Sequence, residues 1–198
     1  MHFSTLLAGL AAFSVSSAAP TPGSFVPFGN LPSQSSTGTS ILANLNTVQT
    51  SIQTLITTLN SLDYTNALSL GNVATVPNVL LNTIGLQSAS SSALLNAKAL
   101  TLPLNVSDSS AIVQKLTNDI LPALKTATDL LTKAKTSGIL ASLNPLGQTD
   151  YLKLIQANFA GLGPALSSYV DSSSQPGLTS ITATLQNLLR ATVNVYTT

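Results

Sequence analysis

The chain has no cysteine, no tryptophan and a single methionine, and its acidic residues are all aspartate. Without cysteine there is no disulfide to staple the fold and no thiolate to hold a metal, so stability has to come from core packing. Charged residues make up 7% of the sequence, against roughly 25% in ordinary soluble domains. The formal charge of +1 supplies no basic stripe for neutralising phosphates, which argues against nucleic acid as a partner. His2 is the sole histidine, and it lies in a segment expected to be removed. The mature chain therefore lacks an imidazole base, a serine–histidine pair and a histidine metal site.

Serine and threonine supply about a quarter of the chain, and apolar residues supply 44%. Such a protein presents a hydroxylic surface rather than an ionic one. A length of 198 residues fits one folding unit with a sizeable core. The apolar run Phe3 to Val15, followed by Ser16, Ser17, Ala18 and Ala19, reads as a secretory signal peptide over 1–18. Residues 19–39 form a Pro/Ser/Gly-rich linker containing Pro20, Pro22, Pro27 and Pro32, a composition that favours a flexible chain. Phe25, Val26 and Phe28 interrupt it, either as a strap packed on the domain or as an exposed sticky patch. The expected domain spans 40–198.

Helical periodicity dominates that domain. After Ser40, a suitable N-cap, the residues Ile41, Leu45, Val48, Ile52, Leu55, Leu59 and Leu62 recur at alternating steps of four and three, one unbroken stripe. A short second helix is expected over 66–76, with Leu68, Val73 and Val76, ended by Pro77. A third should follow from Pro77 to Ala99, with Leu80, Leu81, Ile84, Leu94 and Leu95 among its apolar positions and a small-residue stretch, Ser88, Ala89, Ser90, Ser91, Ser92 and Ala93, that would allow close helix approach. Ser107 and Asp108 suggest the cap of a fourth helix carrying Ile112, Val113, Leu116, Ile120, Leu124, Ala127, Leu130, Leu131 and Ala134. Pro122 should kink that helix, Lys133 and Lys135 suit its C-terminal dipole, and Gly138 suits its stop.

Thr149 or Asp150 can cap a helix carrying Tyr151, Leu152, Leu154, Ile155, Phe159, Leu162, Leu166 and Val170, with Gly161, Gly163 and Pro164 making its middle irregular. Residues Asp171 to Gly177 read as a linker before a last helix with Leu178, Ile181, Leu185, Leu188, Leu189, Val193 and Tyr196. No segment alternates like a half-buried strand. The fold class is therefore all-α, an antiparallel five- or six-helix bundle.

The chemistry of an enzyme is hard to assemble from this inventory. Asp63, Asp108, Asp119, Asp129, Asp150 and Asp171 fall mostly at expected caps or on polar faces, and no serine lies in a Gly-x-Ser-x-Gly turn. Neither a phosphate loop nor a metal-ligand cluster is present, so no cofactor and no metal is expected, and the chain does not read as an enzyme. Asn105-Val106-Ser107 is an N-glycosylation sequon in an expected loop, making Asn105 the candidate glycan site. The tyrosines Tyr64, Tyr151, Tyr169 and Tyr196 lie near expected helix ends, where a ring can cover core while its hydroxyl reaches water. The tail from Arg190 is too short and polar for a GPI signal.

The signal peptide, the first amphipathic stripe, the segment Asp119-Ile-Leu-Pro-Ala-Leu-Lys-Thr-Ala-Thr-Asp-Leu-Leu-Thr-Lys133 and the closing helix near Tyr196 resemble the fungal hydrophobic surface binding protein A family, which includes the cell-wall galactomannoproteins. That resemblance implies a secreted or wall-associated protein that adsorbs to hydrophobic surfaces and helps recruit secreted hydrolases there. It also implies, for some members, fatty acids held inside a helical bundle. Three readings stay open: a surface-adsorbing or lipid-binding protein, a fatty-acid carrier with a closed internal tunnel, and a structural wall mannoprotein without a ligand. An acyl site would draw on the inward stripes, with Leu55, Ile84, Leu116, Leu124, Phe159 and Leu185 as candidates taken from helix centres. The same positions serve equally as plain core.

Overall fold

A computed structural model describes residues 37–140 and 147–197. The expected signal peptide, the linker up to residue 36 and the residues Phe25, Val26 and Phe28 lie outside the described part. Within it the chain is helical, and among the described residues there is no strand.

Helix α1 spans Gly38–Asn60. Its cap is Thr37 rather than Ser40. The Thr37 hydroxyl accepts from the Ser40 backbone N–H, and the Ser40 hydroxyl accepts from the Thr37 backbone N–H, a reciprocal capping box that extends the helix upstream. Every member of the expected stripe from Ile41 to Leu62 is buried. On the outer face Thr47, Ser51, Thr54, Thr57 and Thr58 each donate to the carbonyl four residues back. Their hydrogen atoms are thereby engaged by the helix itself, as is common for hydroxylic residues inside helices.

Helix α2 runs without interruption over Leu70–Lys98, with Pro77 inside it. The expected split at Pro77 does not occur. A proline removes the bond to the carbonyl four residues earlier, and here that residue is Val73, which is 65% exposed, so water can take the bond. Asn72 ties the start of the helix to the preceding turn. It is 1% exposed, accepts from the Asp63 N–H at 2.8 Å and donates to the carbonyls of Asp63 and Asn66, both at 2.9 Å.

The third rod has three segments: α3 over Val106–Gln114, a π-helical turn over Lys115–Ile120, and α4 over Leu121–Thr136. Its cap is Asn105, not Ser107. The Asn105 side chain accepts from the Asp108 N–H at 2.7 Å and donates to the Asp108 carboxylate at 3.0 Å, which satisfies one of the free amides of the first turn. The disturbance expected at Pro122 takes the form of the π turn just before it. There the Leu121 N–H reaches back to the Leu116 carbonyl, a wider loop that absorbs the missing amide without ending the helix.

Helix α5 spans Gln148–Ser167 and α6 spans Gln175–Thr197. Gly147, at φ 86°, is the entry residue of α5, so neither Thr149 nor Asp150 caps it. The middle of α5 is regular despite Gly161, Gly163 and Pro164. The glycines serve close packing: a Cβ on Gly163 would lie 2.6 Å from the Thr182 hydroxyl of α6, and one on Gly161 would lie 3.2 Å from Leu94 of α2. Part of the expected Asp171–Gly177 linker is helical, since α6 already begins at Gln175.

Among the described residues five continuous rods result, and consecutive ones alternate in direction. In space they close a ring in the order α1, α2, α5, α6, α4 and back to α1. Three seams of that ring are parallel. Lys115 meets Gln49 and Asp108 meets Gly38 across α3/α4 and α1. Tyr196 meets Leu131, and Gly177 meets Val113, across α6 and the third rod. Gln148 meets Thr83, and Asn158 meets Ser90, across α5 and α2. The inward stripes of all five rods converge on a single apolar core.

Candidate functional site

The ring gives each helix an inner face and an outer face, and four rods use them conventionally. Leu55, Leu116, Leu124, Phe159 and Leu185 stand in the core at 0–2% exposure, where their stripes place them. Ile84, the remaining candidate from the sequence, is half-buried and lies outside the core cluster. Burial of the five agrees with a core role and does not by itself distinguish an acyl site.

Helix α2 is the exception. Its inner face carries Thr83, Leu86, Ala89, Ser90, Ala93 and Ala97, with Val76 and Val79 nearer its start. Four of its large aliphatic residues point the other way. Leu70 is 88% exposed, Val73 65%, Leu81 49% and Leu95 63%. At 100° per residue these four fall with Pro77 and Ile84 on one stripe, opposite the core. Of the apolar positions expected on this helix, Ile84 is expected inward and stands on the outer stripe, whereas the expected close approach at the small residues Ser88 to Ala93 is where the helix packs, with Ala89, Ser90 and Ala93 buried. What decided the matter is close approach: Ala and Ser at a helix crossing let backbones come together, and Leu94 then fills the notch at Gly161.

The outer surface beside α2 is nearly free of charge. Helix α1 has no charged residue and α2 has only Lys98. A small hollow of about 120 Å³ between them is lined by Thr50, Ser51, Thr54, Asn82 and Gly85. A larger open groove of about 420 Å³ separates α5 from α6, with Gly163, Pro164, Ser167, Thr179 and Thr182 among its walls. Its floor exists because Gly163 lacks a side chain, and Ala160, whose carbonyl has lost its helical partner to Pro164, also lines it.

Three buried polar residues, Thr83, Ser90 and Gln148, lie on the α2/α5 seam. Gln148 is fully buried and donates from Nε2 to the Thr83 hydroxyl at 3.0 Å, which in turn donates to the Val79 carbonyl at 2.8 Å. Farther along, Asn158 donates to the Ser90 hydroxyl at 2.9 Å. At the same end of the bundle as Gln148, the Tyr196 hydroxyl donates to the Leu131 carbonyl at 3.0 Å, and the Tyr64 hydroxyl donates to the Leu59 carbonyl at 2.9 Å. Tyr196 is 3% exposed, so its hydroxyl finds a carbonyl rather than the water expected from its place near a helix end. Burial pushes the phenols of both Tyr196 and Tyr64 up from their ordinary value. Lys133 lies over the Tyr64 ring at 4.1 Å and Lys135 over the Tyr196 ring at 5.8 Å, favourable cation–π placements.

The aspartates do structural work. Asp119, Asp129 and Asp150 pair with Lys115, Lys125 and Lys153, while Asp63 and Asp171 each accept from a hydroxyl and a backbone N–H two residues on. Those hydrogen bonds hold both carboxyls below the ordinary range. Among the described residues no cluster of three potential metal ligands occurs, and no helix is long and apolar enough to cross a membrane. Asn105 is exposed at the start of α3, where its amide doubles as the helix cap.

No family model and no curated protein sequence matches the chain. Solved structures do. The chain AFMP4P in complex with palmitic acid superimposes with a TM-score of 0.68 at 21% identity, over 80% of this chain and 99% of that one. Ligand binding domain 1 of the Penicillium marneffei MP1 protein, complexed with arachidonic acids, gives 0.66 at 12% identity over 80% and 98%. Domain 2 of the same protein, also with arachidonic acids, gives 0.52 at 14% over 78% and 95%. The helical ring described above is thus a fold shared with fungal ligand-binding domains.

Proposed function

We propose that this protein is a secreted, non-enzymatic lipid binder that takes a long acyl chain between its helices. The observation that carries the reading is the shared fold, since three chains built on it are complexes with palmitic or arachidonic acid. The inner face of α2 supports it physically. Ala89, Ser90, Ala93 and Ala97 face inward there, so this rod presents small side chains to the core, and each such residue buries less apolar area than a leucine would. Ligand sites in bundles form between helices.

A second reading, adsorption to apolar surfaces, is favoured by the outer stripe of α2. Leu70, Val73, Leu81 and Leu95 protrude from a face without charge, flanked by hydroxyls already bonded to their own helix. Bringing that face to an uncharged hydrocarbon surface removes few free hydrogen-bonding groups from water. Membership in the hydrophobic surface binding protein A family, wall association, recruitment of secreted hydrolases and a glycan on Asn105 belong to the same proposal and rest on the sequence resemblance and the sequon.

Native mass spectrometry of the secreted protein, followed by titration with a fluorescent fatty acid, tests the first reading. A bound lipid of defined stoichiometry that the probe displaces is the expected result. Ligand-free protein that ignores the probe would overturn it. Retention on alkyl-coated beads would then favour adsorption, and release only by wall-degrading enzymes would favour a structural mannoprotein.

A further inference from the structure

Helix α5 carries its inward residues at Gln148, Leu152, Ile155, Phe159, Leu162 and Leu166, all buried. The steps are four, three, four, three and four, so the stripe is a single line of side chains with one amide at its head and apolar groups thereafter. From Gln148 to Leu162 it extends about 21 Å at 1.5 Å per residue, the length class of a long acyl chain. The amide is incompletely satisfied. Among the described residues, Gln148 Oε1 is the buried side-chain nitrogen or oxygen with no hydrogen-bond partner. Asn72, the other buried amide, has its oxygen and its nitrogen both engaged. A buried carbonyl without a donor is costly enough that native structures rarely keep one without a purpose.

We propose that Gln148 is the polar anchor for the head of a bound acyl lipid, and that the head it takes is a neutral carboxylic acid. This rests on the acyl-binding reading above. Oε1 is an acceptor and needs a donor, which a carboxylate lacks and a protonated carboxyl supplies. Nε2 has two hydrogens, of which one is donated to Thr83. In the proposed pairing the second hydrogen is the one beside Oε1, and a carboxylic acid meets that edge, donating its O–H to Oε1 and accepting from Nε2. Thr83, held by the Val79 carbonyl, fixes the amide in plane as a positioning residue. The tail then follows Leu152, Ile155 and Phe159 along the seam where α2 shows its small side chains.

The test compares palmitic acid, 1-hexadecanol and methyl palmitate as competitors of a fluorescent acyl probe at about pH 5, where part of the acid is neutral. The unaltered protein should prefer the acid to the methyl ester by about tenfold, the equivalent of one buried hydrogen bond, with the alcohol between them because it donates but offers no paired carbonyl. Gln148→Leu should bring acid and ester to within about twofold, the acid losing more than the ester because it loses two hydrogen bonds and the ester one, and Thr83→Val should narrow the preference without abolishing it. Binding of all three ligands with equal affinity by the unaltered protein would overturn the anchor while leaving acyl binding intact, as would an acid preference that survives in Gln148→Leu. Should Gln148→Leu fail to fold, the ranking in the unaltered protein and in Thr83→Val still decides the matter. Failure of every ligand to compete, or of the probe to bind, removes both the anchor and the reading beneath it.

Discussion

The α1–α2 hairpin and the α3–α4 rod meet side by side in the ring and are built from opposite materials. The hairpin helices carry one charge between them, Lys98. The rod carries Asp108, Lys115, Asp119, Lys125, Asp129, Lys133 and Lys135. Helix α1 and the rod bury full apolar stripes toward the same core while α2 turns mostly small and hydroxylic residues to it, and the difference in charge lies on the outside. The rod solvates itself with ion pairs at i,i+4 spacing. The hairpin does so with hydroxyls turned back onto its own backbone and then leaves four large aliphatic residues uncovered. Folding requires an apolar inner face and is tolerant of what the outer face contains, which leaves that outer face free to serve binding.

The sharpest way to break this comparison is to truncate leucines on either side of it. Leu55→Ala in the hairpin core and Leu124→Ala in the rod core should each lower unfolding free energy by about 2–5 kcal/mol in urea titrations. Leu81→Ala and Leu95→Ala, on the outer face of α2, should stay within about 0.5 kcal/mol and reduce retention on alkyl beads. Equal losses at inner and outer positions would mean that the outer stripe is covered.

Glycines give the next largest contrast. Gly163→Ala should destabilise by about 1–3 kcal/mol, because its new methyl group would meet Thr182 at the α5/α6 crossing. Gly85→Ala in α2 should stabilise by about 0.5–1 kcal/mol, since nothing lies within 4 Å of its missing Cβ. Thermal melts of the two variants check both signs.

Tyr196 and Tyr64 distinguish the regions by pH. A buried phenol whose pKa is raised in the folded state contributes stability that is present below the unfolded value near 10 and is lost as pH rises above it. Alkaline unfolding should therefore begin above about pH 10, and Tyr196→Phe, which removes the bond to Leu131 on the rod, should flatten that slope more than Tyr64→Phe does. Chemical denaturation at several alkaline pH values checks this.

Smaller still is the Lys125–Asp129 pair, both partners being well exposed. Lys125→Ala should cost about 0.3–0.5 kcal/mol and only at low salt, whereas hairpin variants should show no salt dependence. At the acid end, Asp63 and Asp171 have depressed pKa values, so their contribution is present above the unfolded value near 4 and lost as pH falls below it. Asp63→Asn and Asp171→Asn should each reduce the acid dependence of the melting temperature by a small margin.

Much of the architecture was legible before any coordinates. The stripe from Ile41 to Leu62, the rod from Ile112 to Ala134 and the stop at Gly138, which adopts φ 78°, were readable because large aliphatic residues at helical spacing have one common cause. Readings failed where a local signal competed with packing. Pro77 suggested a break but sits where water replaces its lost bond. Pro164 suggested irregularity but opens onto a groove. Ile84 suggested an interior position that the ring gave to alanine and serine. Gln148 escaped notice because a glutamine at a helix start ordinarily faces solvent, and only the α2/α5 seam buries it.

Composition and periodicity by themselves determined a helical chain rich in hydroxyls and poor in charge, because those properties follow from residue types and their spacing alone. The tertiary structure decided which face of α2 turns inward, where the rods lie parallel, and which buried amide is left with an unfilled acceptor. Those outcomes depend on how closely two backbones can approach, and that distance is a property of pairs of helices.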